Sequence, residues 1–137
     1  MADDHTLLLV ALGGKLVALD HSSGAIRWED GLKGGGYGEV AIASAHGRVI
    51  ASAQSAKVFC FRYATGELVW TASTSAMGRA SIVIEGDKVF VAKGGEIDCF
   101  SLDGAKLWTQ ALKGKGVGTA AIGFPGNIVQ GDDRGDQ

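Results

Sequence analysis

Three tryptophans, two cysteines, three histidines and two glycine-rich loops are the residues through which this chain could do chemistry. Trp28, Trp70 and Trp108 could stack on a planar ligand. Each recurs at the same phase of a repeated segment, however, and a tryptophan at one phase per repeat is a packing position. Truncating such a buried ring to alanine costs about 3–5 kcal/mol. Cys60 and Cys99 could bind metal or pair. A disulfide needs Cα atoms within about 7 Å, and equivalent positions of neighbouring repeats lie farther apart, so both are expected as small buried core residues. His5, His21 and His46 are scattered without metal-ligand spacing. Asp132, Asp133 and Asp136 read as a solvated tail rather than a calcium site. The tripeptide Arg134-Gly135-Asp136 matches an adhesion motif, but in a chain with no export signal it is read as incidental. No Ser-His-Asp set or paired carboxylates are legible. No catalytic residue and no metal are therefore expected.

The glycine loops are the better candidates. Leu32-Lys-Gly-Gly-Gly-Tyr-Gly38 and Leu112-Lys-Gly-Lys-Gly-Val-Gly118 each follow a tryptophan and end ten residues after it; the loop ending at Gly78 is two residues shorter. Consecutive backbone N–H groups in such loops can hold an anion. A phosphate loop also needs a following helix and a Gly-Lys-Ser/Thr ending. Here a strand pattern follows and the ending is missing. The loops are expected to cross one face of the fold, with Tyr37, Glu39, Arg79, Lys115 and Thr119 closest to any ligand.

The elements that position these loops form an internal repeat. The tryptophans are separated by 42 and 38 residues, and each has a glycine four places earlier: Gly24, Gly66 and Gly104. Residues 16–28, 58–70 and 97–108 each alternate apolar and polar residues, break at a polar turn, and alternate again. That is a hairpin pattern, with glycine supplying the positive φ of the turn. Further strands are predicted upstream at 6–11, 48–53 and 88–93, with a fourth copy at 127–132. Others are predicted downstream at 40–45, 80–85 and 119–124. No stretch has the 3.6-residue period of an amphipathic helix. A unit of about 40 residues with four short strands is the size of a propeller blade.

These units resemble the β-propeller repeat of the pyrroloquinoline-quinone (PQQ) family, whose repeat carries Ala-x-Asp-x-x-Thr-Gly-x-x-x-Trp. Ala18, Asp20, Gly24 and Trp28 match it, with Ser23 in the threonine place. The second unit keeps Thr65, Gly66 and Trp70 but has Cys60 and Arg62; the third keeps Gly104 and Trp108 but has Cys99 and Ser101. The resemblance implies an all-β propeller of four-stranded antiparallel blades in which the tryptophan packs between blades. Lettered outward from the channel, the strands read B-C-D, A-B-C-D, A-B-C-D, A-B. That is one domain over 1–137, with repeats at 6–46, 47–85 and 86–126 and a partial repeat or loose tail at 127–137.

Propellers close with about four to eight blades. Three blades' worth of strands are expected to close as a six-bladed ring in a homodimer, with strand 119–124 of one copy completing blade 6–30 of the other. Strands 6–11 and 127–132 then compete for one place. The leading functional expectation is a non-catalytic scaffold that binds a protein or a small ligand on its loop face. The alternatives are a PQQ-dependent dehydrogenase or a piece of one, for which PQQ would be the cofactor, and a small lectin-like propeller. No cofactor is expected under the leading reading. A formal charge of −2 argues against nucleic-acid binding by bulk electrostatics. No apolar run approaches the length of a membrane-spanning helix, and a cytoplasmic location is expected.

Overall fold

The computed structural model describes residues 5–116 and 118–131. Among them are thirteen strands and no helix, so no helix is long and apolar enough to cross a membrane. Strands β1 (Leu7–Leu12), β2 (Lys15–Asp20) and β3 (Ile26–Asp30) form a three-stranded sheet. Strands β4 (Ala41–Ala45), β5 (Arg48–Ser52), β6 (Lys57–Arg62) and β7 (Leu68–Ser73) form the second sheet. Strands β8 (Ala80–Glu85), β9 (Lys88–Lys93), β10 (Glu96–Ser101) and β11 (Lys106–Gln110) form the third. Strands β12 (Ile122–Phe124) and β13 (Asn127–Val129) pair with each other as a short hairpin. All pairings are antiparallel between chain neighbours, as in a meander.

The repeat extends to the details. A register shift falls at Ala18/Leu19, Cys60/Phe61 and Cys99/Phe100, one place in all three sheets. Each lies in the strand leading into the glycine turn. In the first two turns, Gly24 N–H and Gly66 N–H donate to the carbonyls of Asp20 and Arg62 at 2.8 Å. In the third, one residue shorter, Gly104 N–H donates to Ser101 at 3.0 Å.

The core lies between the sheets. The first and second meet through Leu16, Val49, Ala51, Phe59, Phe61 and Tyr63, with Leu7, Leu9 and Trp28 at the margin. The second and third meet through Ile50, Val58, Cys60, Ile82, Val89, Val91 and Phe100. A β-sheet with apolar residues on both faces must be covered on both, which is why these strands depart from strict alternation.

Three predicted spans need correction. Strand 119–124 begins only at Ile122: the Ala120 carbonyl accepts from Ser81 Oγ at 2.7 Å instead of joining a ladder. Strand 127–132 ends at Val129, and Asp132 lies outside the described residues. The span 127–137, expected as a partial repeat or a loose tail, opens as a strand, with β13 starting at Asn127. Its side-chain amide donates to the Ile84 carbonyl at 2.9 Å and to Glu85 Oε1 at 2.8 Å, tying β13 to the end of β8. The Asp132, Asp133, Asp136 and Arg134-Gly135-Asp136 readings also fall outside the described residues.

Candidate functional site

Loops β3–β4, β7–β8 and β11–β12 lie at the same end of the sheets as hairpins β1–β2, β5–β6 and β9–β10. There loop β3–β4 rests on the β5–β6 hairpin of the next sheet, and loop β7–β8 bonds to that same hairpin, which belongs to its own sheet. Ser55 N–H donates to the Gly35 carbonyl at 3.1 Å, and Gly78 N–H to the Gln54 carbonyl at 2.7 Å. The fit requires glycine: a Cβ on Gly35 would lie 2.6 Å from the Ala53 Cβ. Lys57 Nζ adds a bond to the Lys33 carbonyl at 3.3 Å.

The five candidate ligand residues do not converge on one pocket. Tyr37 stands 92% exposed. It lines an open cleft with Glu39, Val40, Ala11, Leu12 and Gly13. Glu39 Oε2 meets Arg79 Nη2 at 2.9 Å, joining two adjacent loops. Lys115 and Thr119 line a separate cleft with Gly95, Leu112 and Gly118. Between them lies a third cleft formed by Gly35, Gly36, Gln54, Ser55, Met77 and Gly78. The Glu39–Arg79 pair is partly exposed to solvent, and such pairs contribute little. Arg79→Ala is expected to change unfolding stability by under about 1 kcal/mol in a denaturant titration.

Two buried charges support this end of the fold, and neither stood out in the sequence. Lys93, at the end of β9, is buried, and its ammonium donates to the Ala53 and Ser55 carbonyls, each at 2.7 Å, and to Thr74 Oγ1 at 3.4 Å. It thereby ties the third sheet to a hairpin and a loop of the second. Asp98 on β10 is also buried. Its carboxylate accepts from Ser75 N–H at 2.9 Å, Ser75 Oγ at 2.8 Å and Thr109 Oγ1 at 2.7 Å, with Lys106 Nζ at 3.3 Å. Burial lowers the Lys93 pKa to about 8, partly opposed by the charge of Asp98. Burial pushes the Asp98 carboxyl up, but the bonds from Ser75 and Thr109 and the charge of Lys106 outweigh it, and its pKa lies below the ordinary carboxylate value. The sequence signal was a lone aspartate inside the apolar stretch Ile97-Asp98-Cys99-Phe100.

The tryptophans lie against the next glycine turn. The Trp28 indole N–H donates to the Tyr63 carbonyl at 2.9 Å, and its ring covers Gly66. Trp70 N–H donates to the Leu102 carbonyl at 2.9 Å, and its ring covers Gly104. A Cβ at Gly66 or Gly104 would lie 2.5 or 2.7 Å from the ring. Trp108 instead is 47% exposed and touches Phe90 at a ring separation of 6.0 Å. Cys60 and Cys99 are free and buried. Burial pushes the Cys60 thiol up to about 11 and raises that of Cys99.

A family model described as outer membrane protein assembly factor BamB (PQQ_2) matches residues 1–131. The chain belongs to this PQQ-like propeller family. Among solved structures, BamB from Moraxella catarrhalis is similar at 24% identity and a TM-score of 0.65, over 80% of this chain and 35% of that one. A europium-containing methanol dehydrogenase is similar at 15% identity and a TM-score of 0.62, over 76% of this chain and 23% of that one. The quinohemoprotein alcohol dehydrogenase from Comamonas testosteroni is similar at 17% identity and a TM-score of 0.65, over 77% of this chain and 19% of that one. At these identities the likeness shows the fold, and the chain spans about a third or less of each relative's length. No curated protein sequence matches it.

The family name raises the question of a quinone with its metal, and the residues present do not fit one. Among the described residues, no three His, Cys, Asp or Glu side chains come together as a metal site. The central loop-end cleft offers glycine, a glutamine, a serine and a methionine. Asp98, the best-built carboxylate, has both oxygens engaged by Ser75, Thr109 and Lys106.

Proposed function

We propose that this chain is a non-catalytic propeller sector that self-associates to close a ring and presents its loop end to a protein partner. One observation carries the binding part of this reading. Tyr37 and Met77, 92% and 67% exposed, each line a glycine-containing cleft, and the buried Lys93 holds Ser55 in the wall of the Met77 cleft. Exposed aromatic and methionine side chains on a rigid platform are the usual anchors of protein recognition. The likeness to an assembly factor is consistent with this.

A photo-crosslinking amino acid in place of Tyr37 tests the reading in the producing cell. The expected result is one discrete protein adduct from position 37 and none from position 68, since Leu68 is half-exposed on β7, away from the loops. Equal labelling from both positions would overturn it. So would a new absorption band on adding PQQ with Ca²⁺, which supports the dehydrogenase reading, or retention on a glycan array, which supports the lectin-like one.

A further inference from the structure

Equivalent positions are covered between the sheets and bare at the two flanks. The His21, Tyr63 and Leu102 N–H groups donate to the carbonyls of Thr6, Gly47 and Asp87 at 2.8–3.0 Å, which fixes the three turns as equivalent. Tyr63 and Leu102 give their carbonyls to the indoles of Trp28 and Trp70. The His21 carbonyl holds the same place in the first turn. Gly24 has φ +79°, as Gly66 has +78°, yet a Cβ on Gly24 would meet nothing within 4 Å. The receptor for a tryptophan is therefore built and uncovered. At the other flank, Trp108 has the position of Trp28 and Trp70 but stands half-exposed.

Two further pairs of positions agree. Leu32 and Leu112 occupy the same place in the matching loops, both with positive φ. Leu32 is buried in the first core, whereas Leu112 is exposed. Leu8 on β1 corresponds to Val49 and Val89, which are fully buried, and it too is exposed. Leu12 at the end of β1 is 75% exposed, where the third sheet buries Lys93. Two apolar flanks thus remain whose shapes already fit each other twice within the chain.

We infer that Trp108 of one copy docks on the Gly24 turn of a second copy, donating its indole N–H to the His21 carbonyl. This rests on the reading of the chain as a ring sector. Two such contacts related by a two-fold axis close a pair. Strand β1 pairs only with β2 among the described residues. The partner's β12 would take the open side of β1, so β13 gives way to a longer strand. Three register pairs of β12 with β13 compete there with the six residues of β1.

The test is absolute mass by light scattering over a dilution series, on the full chain and on Trp108→Ala and Gly24→Val. The expected wild-type mass is about 28 kDa, twice 14.1 kDa. Each variant is expected to dissociate at concentrations at least a hundredfold higher, as for a central aromatic anchor. Circular dichroism checks that each variant keeps its fold. Mixing the two variants restores one intact contact, so the mixture is expected to pair more tightly than either alone. A wild-type chain that stays at 14 kDa at every concentration would overturn both the pairing and the ring-sector reading. A dimer unaffected by Trp108→Ala would overturn this contact alone, leaving self-association intact. Mass that keeps growing with concentration would overturn the closed pair.

Discussion

Trp70→Ala is expected to lower unfolding stability by about 3–5 kcal/mol, and Trp28→Ala by a similar amount. Trp108→Ala is expected to cost the isolated chain only about 1 kcal/mol, because half of the ring is already in water. Three substitutions of one residue type at one repeat position thus separate by what covers the ring. Trp70 loses its contact with Phe100, at a ring separation of 6.2 Å, and uncovers Gly104. It also strands the Leu102 carbonyl, which accepts the indole N–H. Trp28 loses the equivalent set: Phe61 at 6.0 Å, Gly66 and the Tyr63 carbonyl. Denaturant titration at low protein concentration, where copies are apart, checks the ranking. Equal losses at all three positions would mean that Trp108 is covered within its own chain.

The partner glycines sharpen the test. Gly66→Ala forces a methyl into the Trp28 ring and a left-handed backbone on alanine. Gly24→Ala meets only the backbone term, about 1–2 kcal/mol. The two turns have the same φ, so the excess at Gly66 measures the ring contact alone.

Much of this was legible before any coordinates, because it repeats. Tryptophan and its glycine recur in register at Trp28, Trp70 and Trp108, and each copy strengthens the reading of the others. The hairpins around Gly24, Gly66 and Gly104 lie where the alternation placed them. The loop end was legible only in part. Matching loop lengths put Tyr37, Glu39, Lys115 and Thr119 at one end, but not the distances among them. Glu39 meets Arg79, whereas Lys115 belongs to another cleft. Loop separation depends on how sheets rotate about the axis, which no local pattern records. Lys93 and Asp98 were hidden for the opposite reason. Their counterparts are Leu12 and Ala53 for the lysine, and Val17 and Phe59 for the aspartate, so the repeat carries no hint of a buried charge. The end of the chain misled because a strand pattern does not say where a ladder stops. Ala120 gives its carbonyl to Ser81, and β12 starts two residues later.

Asp98→Ala is expected to cost about 3–5 kcal/mol, since removing one member of a buried charged network strands the rest. Ser75 N–H, Ser75 Oγ and Thr109 Oγ1 lose their acceptor together, and loop β7–β8 loses one of its ties to the third sheet. A pH dependence identifies the network more specifically than the loss itself. Lys93 titrates near 8 in the folded chain against an ordinary value of 10.5. Between those values the unfolded chain holds a proton that the folded chain has released, so stability rises with pH. The opposite holds for Cys60, whose thiol is raised from 9.0 to about 11: above pH 9 the unfolded chain loses a proton that the folded chain keeps. The clean window is therefore pH 8 to 9, where Lys93 acts before the thiols oppose it. Wild-type stability is expected to rise there by under about 1 kcal/mol, because the folded lysine is only half deprotonated at pH 8 and the thiols begin to oppose it towards pH 9. Lys93→Met is expected to remain flat across the window. Asp98→Asn removes the charge that holds the lysine up, so its rise begins at lower pH. At the acid end the sign reverses. The depressed carboxyl of Asp98 contributes stability above its unfolded value, and this is lost as the pH falls through its folded value. A wild-type curve without the rise from pH 8 to 9 would mean that the Ala53, Ser55 and Thr74 oxygens fully offset the burial of the Lys93 charge. The lysine would then be a neutral fastener between sheets rather than a strained one.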